Sequence, residues 1–431
     1  MLSSKTRRPS LLRYGKLVGA VSAAAMSLSA CSDSSSSSEE DNATSIESAG
    51  RLALYGGNDS AVVVYDLDTE LALQRFAVTG GEASLYASPD KRYAVVVQRD
   101  DNQVSFVDSG LYTEDHVDHL HDYAVDPSLL DFTLSGIKPT HYSTHEEYGA
   151  VFFDAEEGVP SVVSIMSDAD IAAGRVTGEL SLANNMHGAA KLIDDNLFVT
   201  YRDPSITDTT LPAAVERYAF AGGTFTLEHR YEEPCPLLHG HAANDDFIAF
   251  GCGDGVLLVD LTQEDLPASK IPNPASMAEE ARVGTVIAHD DADEFVGIAG
   301  EQSFVIDPDS ESVFEEISFP ADVSKLAQGF NVDGQTYYIL GDDGMLYLYD
   351  VEAQWAALSP VAVIDSVGED DSAPVVVSSA AAERLYVLNT TGEQVIEIDS
   401  LDGSIVRTLD LGFTASRLTW LGLAESHDHQ D

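Results

Sequence analysis

Basic side chains are scarce in this sequence: 22 Lys and Arg stand against 73 Asp and Glu in 431 residues, a formal charge of −51. Five of the basic residues (Lys5, Arg7, Arg8, Arg13 and Lys16) fall in the first 16 positions, where no acid occurs, so 17 remain to face 73 acids in the rest of the chain. That balance excludes nucleic acid as a partner, because phosphate binding needs Lys and Arg to displace counterions. It draws cations instead, although high solubility is its plainer meaning. Beyond the N-terminus no apolar run reaches the length of a membrane-spanning helix. A Gly-x-Ser-x-Gly elbow and a nucleotide loop are also missing, and no general base adjoins the histidines, so the chain reads as a binding protein rather than an enzyme.

Cysteine is nearly absent too, with three copies at Cys31, Cys235 and Cys252. The first belongs to an address. Basic residues up to Lys16 precede the apolar, small-residue run of 17–30, and Leu28-Ser29-Ala30-Cys31 resembles a bacterial lipobox. Residues 1–30 are thus read as a lipoprotein signal and 31–50 as a Ser-rich, acidic tether carrying lipid on Cys31. Ser32 fits the outer membrane better than the inner, and the lipid is the expected contact with the bilayer for a monomer in the periplasm. Cys235 and Cys252 flank a predicted hairpin with its turn near Asn244-Asp245, which sets them opposite each other. Export favours a disulfide there, and a reduced thiolate metal pair is the alternative.

From Arg51 onward one pattern returns about every 40–50 residues: an apolar β-rich run, a polar turn, a second run, another turn and a third. Its clearest copies are Ser84–Gln98 with Gln103–Asp108, Gln335–Leu340 with Met345–Asp350, and Arg384–Asn389 with Gln394–Asp399. Runs of this length, rich in Val, Ile, Tyr and Phe and punctuated by Gly and Asp, are strand and hairpin chemistry. Seven complete units start near residues 83, 139, 187, 237, 283, 324 and 374. Ala415–Leu421 supplies one innermost strand and 51–79 supplies three more, so the two chain ends are expected to close an eighth unit and remove the free edge. The fold class is therefore all-β, a single β-propeller of eight blades over 51–423. Seven blades is the near alternative and a pair of sandwiches the remoter one.

Twelve histidines matter less than their positions. Alignment on the second strands puts His141, His187 and His239 near the start of the innermost strand in three consecutive blades, hence at one mouth of the channel. The stretch Asp115-His-Val-Asp118-His119-Leu-His121-Asp122 lies on the connection leading into the first of these blades and is expected beside them. His241, two residues after His239, is expected on the same strand face at another depth. His145 and His289 fall at the opposite mouth as surface residues. Zinc takes neutral imidazole nitrogens and carboxylate oxygens in a tetrahedron, and a rigid scaffold can converge them from distant segments. A donor set without thiolates suits an ion that is released again; copper, nickel and cobalt accept similar donors. Any single histidine here is more simply a hydrogen-bonding residue, whereas the cluster points to metal. Asp118, Asp122 and His241 are accessory metal candidates, with Asp115 beside the two carboxylates. So are His427 and His429 in the 424–431 tail, which is either a metal collector or a frayed end.

Four stretches resemble the AztD-type periplasmic zinc metallochaperones. They are Asp118-His-Leu-His121-Asp-Tyr-Ala-Val-Asp-Pro-Ser-Leu-Leu-Asp-Phe132, Lys138-Pro-Thr-His141-Tyr-Ser-Thr-His145 running on to Asp154, Met186-His187-Gly188, and Cys235-Pro-Leu-Leu-His239-Gly240 with Ala249-Phe-Gly-Cys252. The resemblance implies a β-propeller that hands zinc to the solute-binding protein of a zinc ABC transporter. It implies that His119, His121, His141, His187 and His239 include the zinc ligands, and that Cys235 pairs with Cys252. The chain departs from the family in having a Ser-rich segment without histidine near the mature N-terminus, and a lipobox. A metal-independent interaction scaffold is the competing function, and a zinc-dependent hydrolase or lyase a weaker one.

Overall fold

A computed structural model describes residues 45–423 except 57–58, 116–118 and 311–312. The signal segment, Cys31, Asp118, His427 and His429 lie outside the described residues. Eight antiparallel sheets follow one another along the chain as propeller blades, seven with four strands and one with five, and a separate two-stranded hairpin stands outside them. Their innermost strands are Ser84–Ala87, Pro139–His145, Ala190–Ile193, His239–Ala243, Thr285–Ile287, Lys325–Phe330, Val375–Ser378 and Arg417–Leu421, in blades 1 to 8. Blade 8 is the closing one. Arg417–Leu421 pairs antiparallel with Arg51–Gly56, from Arg51 opposite Leu421 to Tyr55 opposite Arg417. The junction is tight: Trp420 donates its indole N–H to the Ala49 carbonyl at 3.0 Å. Gly50, at φ +94°, lies so close to that ring that a Cβ would stand 2.5 Å from it.

Burial explains which runs became which strands. Middle strands are apolar on both faces because each blade is covered by its two neighbours; every residue of Arg51–Gly56, Ala61–Asp66 and Tyr93–Gln98 is buried. Outer strands face water, and Leu71–Ala77 buries only Phe76. The core accordingly lies between blades. Tyr338, Leu340, Leu346 and Leu348 of blade 6 pack on Leu385, Val387, Ile396 and Ile398 of blade 7. Each such aliphatic side chain contributes about 1.5–3 kcal/mol of transfer free energy.

Antiparallel order also fixes direction. Every innermost strand starts at one mouth of the channel, here the near mouth, and ends at the far mouth. Second and third strands then return to the near mouth and go back to the far one. Among the described residues no helix is long and apolar enough to cross a membrane.

Candidate metal centre

Three histidines meet at the near mouth. His239 opens its inner strand, His141 is the third residue of Pro139–His145, and His187 stands just before Ala190–Ile193. Both the blade 2 and blade 4 inner strands carry a β-bulge here, between Pro139 and His141 and between His239 and His241. Bulges re-aim side chains at the ends of strands. In blade 4 the extra residue is Gly240, at φ +62°, where a Cβ would stand 2.7 Å from the Gly284 carbonyl. The Cys235–Cys252 disulfide is formed, with Cα atoms 4.8 Å apart, and ties the loop before His239 to the end of the next strand.

The ligand atoms of His141, His187 and His239 all lie within 4.8 Å of one another. Nε2 of His187 is 3.3 Å from Nε2 of His141 and 3.1 Å from Nε2 of His239. The other ring nitrogens decide what these close approaches mean. His239 Nδ1 is 2.6 Å from the Gly284 carbonyl oxygen, which can only accept, so Nδ1 carries the proton. His187 Nδ1 likewise donates to Asp154 Oδ2 at 2.8 Å. In the neutral rings both Nε2 atoms are then bare lone pairs turned on each other, an arrangement that a shared cation relieves. Burial, followed by the charges of His187 and His239 and of Arg99, pushes His141 down to about 4 against the pull of Asp154. His141 is thus neutral at physiological pH and offers a lone pair as well. Three imidazoles with a fourth position left for water or an incoming ligand suit zinc, and an imidazole oriented by a carboxylate is the usual support of such a ligand.

Asp154 and Gly284 belong to the site although neither stood out as a site residue in the sequence. Asp154 directly follows the second strand of blade 2, Tyr148–Phe153, which ends at the near mouth. That position, and its place at the end of one of the resembling stretches, were its signals.

The expected gathering of five histidines is corrected to three. His119 and His121 sit on the hairpin of Leu111–Asp115 and Leu120–Ala124, which leaves blade 1 between its third strand, Gln103–Asp108, and its fourth, Ser128–Ser135. That connection is at the far mouth. Arg51, at the far-mouth end of its strand, donates to the carbonyls of Ser109 and, at 2.8 Å, Val125 at the hairpin base. Arg92 lies 3.6 Å over the Tyr112 ring. Asp122 accepts from the Ile46 amide at 3.0 Å and from Thr113 Oγ1 at 2.7 Å. His121 stacks on Tyr123, centroids 4.7 Å apart. The triad is the one group of ligand-sized spacing among the described residues.

His241 departs from its expected orientation as well. With Gly240 bulged out, His239 pairs with Gly251 and His241 with Phe250, so the two histidines face neighbouring rather than alternate positions. Burial, then Lys191 and His141, push His241 down to about 3, and its Nε2 has no hydrogen-bond partner. His145 ends its inner strand and His289 follows one, both toward the far mouth as expected, but both are half-buried rather than surface residues, and His289 Nε2 lies 3.1 Å from the Val332 carbonyl oxygen.

No family model matches the chain. It is 25% identical over 368 residues to the zinc chaperone AztD of Citrobacter koseri, covering 81% of this chain and 82% of that protein. Two crystal structures of Citrobacter koseri AztD superpose with TM-scores of 0.73 and 0.71 at 23% identity. The alignments cover 88% and 86% of this chain and 99% and 98% of theirs. The dihydro-heme d1 dehydrogenase NirN is a more distant likeness, with a TM-score of 0.58 at 12% identity over 88% of this chain and 77% of that one. The resemblance to the AztD-type chaperones that four histidine- and cysteine-bearing stretches carry therefore extends along four-fifths of the chain, and the eight-bladed fold agrees with it.

Proposed function

We propose that this chain is a periplasmic zinc chaperone, tethered through lipid on Cys31, that holds one zinc ion on His141, His187 and His239. It delivers that ion to the solute-binding protein of a zinc ABC transporter. The observation that carries the reading is the pinned Nδ1 protons of His187 and His239, which leave two bare Nε2 atoms 3.1 Å apart beside a third imidazole. Likeness to a protein named a zinc chaperone supports the choice of metal. So does a donor set of neutral nitrogens without thiolate.

The chemistry of handover follows from the donor count. Three neutral imidazoles leave the +2 charge of the ion uncompensated and one coordination position free. A recipient's ligand can enter that position and exchange with the imidazoles one at a time, so zinc need not pass through the hydrated state. The acidic surface raises the local concentration of cations around the mouth.

Calorimetric zinc titration of the purified full-length protein tests this reading. One tightly bound ion, absent from His187→Ala, is the expected result, with transfer to the solute-binding protein outpacing spontaneous release. Weak binding of many ions that His187→Ala leaves unchanged would mean adsorption to acidic side chains, and the reading would fall.

A further inference from the structure

Arg99 is the rim residue of a chain of contacts that crosses five blades. It begins the 3-10 turn Arg99–Asp101 at the near-mouth end of the second strand of blade 1. Its Nη2 donates to Asp154 Oδ2 at 3.2 Å and its Nε to Thr140 Oγ1 at 3.1 Å, both in blade 2. The same Asp154 oxygen accepts from His187 of blade 3, whose Nε2 meets that of His239 of blade 4, which is held in turn by Gly284 of blade 5. Of the ion pair, Asp154 is buried, with its side chain 7% exposed, while the Arg99 side chain is 44% exposed on the rim.

We propose that Arg99 holds the zinc affinity of the triad down, so that the ion stays transferable; this rests on the zinc reading of the same site. Two effects act in one direction. The guanidinium draws on the Asp154 oxygen that would otherwise pull fully on the His187 Nδ1 proton, which leaves His187 Nε2 a poorer donor. It also sets a fixed positive charge near the position of a divalent cation. The opposing effect, that Arg99 keeps Asp154 in place, is limited because the Asp154 backbone is pinned independently and its Oδ2 keeps the His187 Nδ1–H when Arg99 is gone. The Asp154 amide donates to the Lys138 carbonyl at 2.9 Å, and the Asp154 carbonyl accepts from Ser161 Oγ at 2.7 Å. Arg99 is therefore a positioning residue whose loss tightens binding, where a merely structural role predicts loosening.

Competition titration of the full-length protein against a chelator of known zinc affinity, with stopped-flow release, reads the sign. Arg99→Gln is expected to bind zinc roughly three- to tenfold more tightly and to release it correspondingly more slowly, the range reflecting screening of a half-exposed charge. Arg99→Lys, which keeps the charge, returns toward the parent value, and the zinc-free melting temperatures of both variants stay near that of the parent. Unchanged or weaker binding in Arg99→Gln overturns the proposal. A parent protein that binds zinc through His187, alongside an Arg99→Gln variant that is not tighter, defeats this inference alone. A parent without His187-dependent binding defeats the function reading as well.

Discussion

The two ends of the channel are built from different chemistry. At the near mouth three half-buried imidazoles turn their Nε2 atoms toward one point, each supplied by a different blade. The far half collects charges that answer one another. Lys191 donates to the Thr144 carbonyl at 2.7 Å. Burial pushes it down to about 8, with Asp290 pulling the other way. Lys91 is held among Asp168, Asp290 and Asp90. A cavity of about 410 Å³ there is lined by Lys191, His241, His289 and Asp290 among others. The far half thus brings its own cations to its carboxylates, whereas the near-mouth cation beside the triad, Arg99, is paired with Asp154 and leaves the imidazole lone pairs uncompensated. Accumulated acid does not make the metal site in this chain; uncompensated donors do.

Breaking the near mouth has the largest expected effect. His187→Ala removes the ring that touches both of the others and is expected to weaken zinc binding by more than about 100-fold in calorimetry. The double variant His119→Ala/His121→Ala, on the far-face hairpin, leaves the tight ion in place. Replacing Cys235 and Cys252 with Ser removes a crosslink between residues 17 apart. It is expected to cost roughly 3 kcal/mol of stability by chemical denaturation. Zinc affinity falls with it, because the loop that delivers His239 loosens. Asp154→Asn keeps the shape but removes the charge behind His187; about a tenfold loss of affinity by chelator competition is expected.

The smallest effect separates the two ends by the sign of their pH dependence. His141, pushed down to about 4, contributes stability that is complete above its ordinary value and is lost as pH falls from about 6.5 toward 4. Asp168 goes the other way. Burial and then the neighbouring Asp90 raise it to about 7, so its contribution is complete at low pH and is lost as pH climbs through about 7. Denaturant midpoints of the zinc-free protein between pH 4 and 7.5 read the difference. Relative to the parent, Asp168→Asn is expected to gain as pH rises, and His141→Gln to gain as pH falls. Each change is on the order of 1 kcal/mol.

Much of this architecture is legible in the residues. Strand runs separated by Gly and Asp turns gave the blade starts within a few positions, and the split unit at the termini closes as Arg51–Gly56 against Arg417–Leu421. Position within the blade then put His141, His187 and His239 at one mouth. The hairpin carrying His119 and His121 was not legible, for a topological reason. Each added strand reverses the mouth, so the same apolar and polar pattern lies on opposite faces depending on whether it precedes or follows the outer strand. Ser128–Ser135 proves to be that outer strand, and the hairpin precedes it. The Gly240 bulge was hidden for a related reason: strict alternation is the default reading of a strand, and one extra residue inverts it. Asp154 and Arg99 sit at corresponding near-mouth ends of consecutive blades, but only packing pairs the one with His187 and the other with that carboxylate.

Diffraction from zinc-loaded crystals at energies on either side of the zinc absorption edge shows where the ion sits. One strong anomalous peak is expected at the near mouth, bounded by Nε2 of His141, His187 and His239. A dominant peak at the far-face hairpin, or scattered weak peaks over surface carboxylates with none at the triad, would contradict a zinc site there.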